Sequence, residues 1–80
     1  MRLDKFLKNS RLIKRRTIAK EACDAGRVMI NGRTAKAGTE VEEGDIIEIG
    51  FGNRRIKVEV VQVAEHVTKD QSREMYRMIE

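Results

Sequence analysis

Gly26-Arg27-Val28-Met29-Ile30-Asn31-Gly32-Arg33 decides the fold of this 80-residue chain. Gly26 closes a segment of helical spacing, because a residue without a Cβ enters the left-handed conformation of a helix stop without steric cost. Val28 and Ile30 share one strand parity and are expected to point inward. Asn31-Gly32 is the pair favoured in a two-residue hairpin, where both central residues need positive φ. A helix end, a strand and a reversal are thus written in eight residues. Before them the chain is basic with helical spacing, and after them it alternates like a small sheet.

Upstream, residues 15–25 predict a helix. Ile18 with Ala22, and Ala19 with Cys23, lie four apart and make a narrow apolar side, while Arg16 and Lys20 form the opposite side with Arg15 beside them. Residues 2–8 predict a first helix, on which Leu3, Phe6 and Leu7 fall opposite Arg2, Lys5 and Lys8. Asn9-Ser10 reads as its end, and residues 11–14 as a connecting turn or the opening of the second helix. If the helices pack through Leu3, Phe6, Leu7, Ile18 and Ala22, their cations form one continuous surface.

Downstream, the hairpin returns through Thr34 and Ala35, and Val41 dips into the core before an acidic turn at residues 42–45. Ile47 and Ile49 share a parity, and Gly50-Phe51-Gly52-Asn53 turns the chain into the clearest strand, where Ile56, Val58 and Val60 alternate with Arg55, Lys57 and Glu59. Val61 and Val63 switch parity, which implies a bulge, a strand end or burial on both sides. From Thr68 the spacing predicts a short helix, with Thr68 and Gln71 as a capping box and Ser72, Met75 and Ile79 on one side. The expected class is α+β: two N-terminal helices packed on a small antiparallel sheet, with a short C-terminal helix or tail. The expected divisions are a core over 1–50, an added strand within 51–67 and the C-terminal segment 68–80.

Charged residues are 38% and hydrophobic ones 40% of the chain, enough apolar content for a folded domain but, at this length, for only one small core. The net charge of +4 is unevenly spread. Residues 1–20 hold eight basic side chains against the single acid Asp4, a balance of +7, whereas the other sixty residues hold nine basic and twelve acidic, a balance of −3. A chain polarised in this way points to a polyanionic partner. The opening residues run into charge instead of an apolar leader and no stretch has transmembrane length, so the expectation is a cytoplasmic protein with no membrane partner.

Catalysis has little material. His66 is the only histidine and Cys23 the only cysteine, and Cys23 lies on the packing side of a helix. No phosphate-binding glycine loop with lysine, no hydrolase motif and no calcium loop occurs, so no catalytic residue, metal or cofactor is expected. The basic helices offer more. Arginine forks hold two phosphate oxygens or stack on a base, and lysines add a less directional attraction. A DNA-reading helix would present polar groups to base edges. Arg15-Arg16-Thr17-Ile18-Ala19-Lys20 instead presents cations followed by small residues, which suits folded RNA.

The runs Arg2-Leu3-Asp4-Lys5-Phe6-Leu7, Ser10-Arg11-Leu12-Ile13-Lys14-Arg15-Arg16-Thr17-Ile18-Ala19 and the opening octet, with Gly44-Asp45 before Ile46, resemble the small RNA-binding domain named after ribosomal protein S four, the alpha-L motif. The likeness covers residues 1–50. It implies an RNA-gripping surface on the helices and hairpin. By position, Arg2, Lys5 and Arg11, then Arg15, Arg16 and Lys20, with Lys36 after the hairpin, match the family's RNA-facing places, and Lys8 joins them on the exposed side of the first helix. The chain is similar to the free-standing members, the fifteen-kilodalton heat-shock proteins and their short relatives in ribosome-associated quality control. Because residues 68–80 are short and mixed in charge, the short relatives fit better. The resemblance implies ribosomal RNA and tRNA on an obstructed large ribosomal subunit as partners, with a factor that tails the stalled chain, and a monomer off the ribosome. The alternative reading is a ribosome-assembly or chaperone-like module that uses the acidic segment 40–45 and the Met75-Tyr76 patch as protein contacts.

Overall fold

Leu3, Phe6 and Leu7 are all fully buried, and their one-sided spacing is what holds α1 (Leu3–Asn9) against the rest of the molecule in this computed structural model, which describes residues 1–79. The orphan N–H groups at the start of α1 are met by two loop carbonyls and by a side chain of the helix's own first turn. Leu3 donates to the Thr39 carbonyl at 2.8 Å, Asp4 to the Ala37 carbonyl at 3.1 Å, and Lys5 to the Asp4 carboxylate at 2.8 Å. The helix ends at Ser10, whose hydroxyl donates to the Leu7 carbonyl at 3.2 Å. Residues 11–14 are the connecting turn, with Ile13 buried beneath it.

α2 (Arg16–Asp24) packs on α1 through Ala19 and Cys23. This corrects the expected contact: Ile18 is 48% exposed and Ala22 is only partly buried. The seam is turned by one residue, about 100° of helix. The small side chains at Ala19 and Cys23 let the two backbones approach, whereas an isoleucine in the seam would hold them apart. Gly26, at φ +74°, stops the helix as expected, and Arg27 donates back to the Ala22 carbonyl at 3.0 Å.

Five antiparallel strands follow: β1 (Val28–Ile30), β2 (Arg33–Thr34), β3 (Ile46–Phe51), β4 (Arg54–Val60) and β5 (Tyr76–Ile79), in the spatial order β2-β1-β3-β4-β5. Ile30 pairs with Arg33, which makes Asn31-Gly32 a two-residue turn, and their φ values of +52° and +83° are those a type I′ turn requires. The Asn31 side chain also accepts from the Ile46 N–H at 2.9 Å, tying the hairpin to β3. Val28, Ile30, Ile47, Ile49, Val58 and Val60 form the buried sheet face beneath the helices. The other face carries charge, with Glu48 between Arg55 at 3.3 Å and Lys57 at 3.2 Å. Of the readings open at Val61, the strand end is the one realised, since β4 stops at Val60.

The C-terminal segment departs from expectation. The capping box forms, with Thr68 Oγ1 accepting from the Gln71 N–H and Gln71 Oε1 from the Thr68 N–H, but the helix it starts, α3 (Lys69–Ser72), lasts one turn. Residues 76–79 become β5 along the open edge of β4, in the register Val60 with Tyr76 and Val58 with Met78. A helix this short has little stability of its own, and an unpaired strand edge offers backbone partners at once. Met75 is fully buried at the corner between them.

Candidate nucleic-acid interface

Asp4 is the organising group, although in the sequence it reads only as the lone acid in a basic run. It is 3% exposed. Arg2 donates from Nε to Asp4 Oδ1 at 3.2 Å and from Nη2 to Oδ2 at 3.4 Å, and Arg16 Nε lies 3.3 Å from the same Oδ2. One carboxylate therefore holds a guanidinium from the residue that leads into α1 and one from the start of α2. Their side chains remain 53% and 49% exposed, so the forks are fixed at one edge and presented at the other. Two cations against one anion leave a net positive group, and Asp4 restricts the rotamers that each arginine would otherwise lose on meeting a phosphate.

The other expected residues distribute around this pair. Arg15, in extended conformation at the N-terminal boundary of α2, and Lys20, one turn beyond Arg16, are both exposed. Lys36 is exposed in the loop after β2, next to Ala37, whose carbonyl caps Asp4. Lys8 and Arg11 are exposed at the far end of α1, away from Asp4. Lys5 differs, being partly buried and ion-paired with Glu65. That hydrogen bond holds the Glu65 carboxyl below the usual range, with the Lys5 charge as the second cause. Lys5 thus fastens α1 to the loop after β4.

Cys23 is buried, and its thiol is pushed up from 9.0 to about 11, first by burial and then by the charges of Asp4 and Asp24. A thiol held in its neutral form is no nucleophile at ordinary pH. Among the described residues no group of metal-ligating side chains converges, and no helix is long and apolar enough to cross a membrane.

A basic two-helix edge over an antiparallel sheet is the architecture of an S4 domain, and the family model of that description matches residues 1–47. Over 78 residues the chain is 55% identical to the "RQC P-site tRNA stabilizing factor" of Halalkalibacterium halodurans, covering 98% of this chain and 89% of that protein. It is 48% identical over 79 residues to the protein of the same name from Bacillus subtilis, covering 99% and 92%. Among solved structures, the trimeric Heat Shock Protein 15 of Vibrio cholerae superposes with a TM-score of 0.90 at 28% identity, over 99% of this chain and 81% of that one. The chain belongs to the S4-domain family of RQC P-site tRNA stabilizing factors.

Proposed function

We propose that the chain is a non-enzymatic RNA-binding factor that docks on an obstructed large ribosomal subunit and holds peptidyl-tRNA in place while a tailing factor extends the stalled nascent chain. The observation that carries this reading is the Asp4 cluster, in which Arg2 and Arg16 are aimed outward by one buried carboxylate. Fixed forks suit phosphate oxygens at set positions on a folded RNA, and they make or break no bond. The names of the relatives, which speak of stabilising P-site tRNA, support the same partner. Arg15, Lys20 and Lys36 widen the cationic surface, with Lys8 and Arg11 at its far end. Lys5 acts through its tie to Glu65.

The test is equilibrium binding of the labelled full chain to large subunits with and without a P-site tRNA. Arg2→Ala and Arg16→Ala each remove one fork and are expected to weaken binding to the tRNA-bearing subunit by about tenfold or more, at roughly 1.5–3 kcal/mol for a charge-assisted contact. Equal affinity for subunits with and without tRNA would contradict the tRNA assignment. Unchanged affinity in both variants would contradict the role of the cluster.

A further inference from the structure

At the opposite end of α1 from Asp4, a cavity of about 190 Å³ is lined by Lys8, Arg11 and Lys14, together with Asn9, Glu65 and His66. It joins the helix end to a loop, residues 61–68, that lies outside the matched S4 segment 1–47. Two features build it. Asn9 Nδ2 donates to the Ala64 carbonyl at 3.1 Å and to the Glu65 carbonyl at 3.0 Å, which staples the loop to α1. Arg11 takes φ +63°, a left-handed conformation that a non-glycine residue keeps only where its surroundings hold it, and its N–H donates to the Lys8 carbonyl at 3.0 Å. The strained turn puts Arg11 on the wall shared by Lys8 and Lys14.

The charge around the cavity is unbalanced. Glu65 is its only acid and is engaged by Lys5, whereas Lys8, Arg11 and Lys14 have no carboxylate partner among the described residues. Their mutual repulsion is relieved by an anion, and His66 adds a ring N–H donor. The volume is below the roughly 300–1,000 Å³ of sites that enclose whole small molecules, so the fit is to a single phosphate group. We propose that this cavity seats one backbone phosphate of the bound RNA, with Lys14 and His66 as ligands beside Lys8 and Arg11. The proposal rests on the RNA-binding reading above and adds a second, separate point of grip.

The experiment measures affinity of the full chain for tRNA-bearing large subunits across a potassium chloride series. The proteins compared are the parent, Lys14→Ala with His66→Asn, and Lys69→Ala as a surface control. Lys14 and His66 are exposed, and circular dichroism verifies that the double variant is folded. The double variant is expected to bind about tenfold more weakly near 0.1 M salt and to lower the slope of log K against log salt by about 0.7–1, the signature of one lost phosphate contact. The control is expected to match the parent. A parent that binds tightly with an unchanged double variant would overturn the cavity while leaving the Arg2–Arg16 reading standing. A parent that fails to bind would overturn both. In a parallel nuclear magnetic resonance titration with inorganic phosphate, shifts at His66 and residues 8–14 accompanied by an unchanged salt slope would mark a free-phosphate site and overturn the backbone assignment.

Discussion

Asp4 raises the local negative charge beside the two arginines proposed to meet RNA, and charge counting alone therefore scores it as a hindrance. Its geometry says the reverse, since Arg2 and Arg16 are both oriented by its oxygens. Asp4→Asn separates the two views, because it keeps the shape and the acceptor for the Lys5 N–H while removing one negative charge. The account predicts weaker binding to tRNA-bearing subunits, by about fivefold to tenfold, read by the same equilibrium assay. A charge-only account predicts tighter binding. Cys23 makes a second prediction at this scale. Its raised value means that the fold favours the neutral thiol, so its contribution to stability is complete below pH 9.0 and is lost as pH rises towards 11. Denaturant midpoints should fall over that window, and Cys23→Ala should flatten the fall. Arg16 was legible in the sequence as an exposed member of a helical face; Arg2 was legible as exposed, but it stands in extended backbone just ahead of α1 and not on the helix as expected. Asp4 was not, because its meaning depends on residue 16 standing beside residue 4, and spacing along one helix carries no information about the next. Ile18 was misplaced for a related reason: apolar spacing fits two seams one residue apart, and only side-chain size at the helix crossing chooses between them.

The element best read from sequence is the one whose residues impose a conformation without help. Gly26 at φ +74° and Asn31-Gly32 at +52° and +83° are of this kind. A Cβ at Gly26 would meet nothing within 4 Å, so the cost of Gly26→Ala is purely that of the left-handed backbone, about 1–2 kcal/mol in urea unfolding. The C-terminal segment is the opposite case. Its capping box was legible, but α3 gives way to β5 because the open edge of β4 lies far off in sequence and beside it in space. Met75 is locked where this switch occurs, and Val61 and Gln62 both donate to its carbonyl, at 2.8 and 3.2 Å. Met75→Ala is expected to cost about 2–4 kcal/mol and to loosen β5, seen as faster amide exchange in residues 76–79 than elsewhere in the sheet. Equal exchange across all strands would contradict that coupling.

The molecule as a whole, about 28 × 27 × 22 Å, gathers its first twenty residues' excess of positive charge on two short helices and the segments that flank them and carries most of its acids elsewhere. A body this small with its charge so divided is oriented by a polyanionic surface before it touches it. The central claim is that the helix edge then grips tRNA on an obstructed large subunit. The most direct measurement is sedimentation of the tagged chain through a sucrose gradient of cell extract, followed by identification of the RNA in its fractions, with the Arg2→Ala and Arg16→Ala double variant run beside it. The account predicts that the parent travels with large subunits that carry tRNA and is scarce on small subunits and translating ribosomes, while the double variant stays at the top of the gradient. The parent on precursor subunits lacking tRNA, or a double variant that co-sediments as fully as the parent, would contradict it.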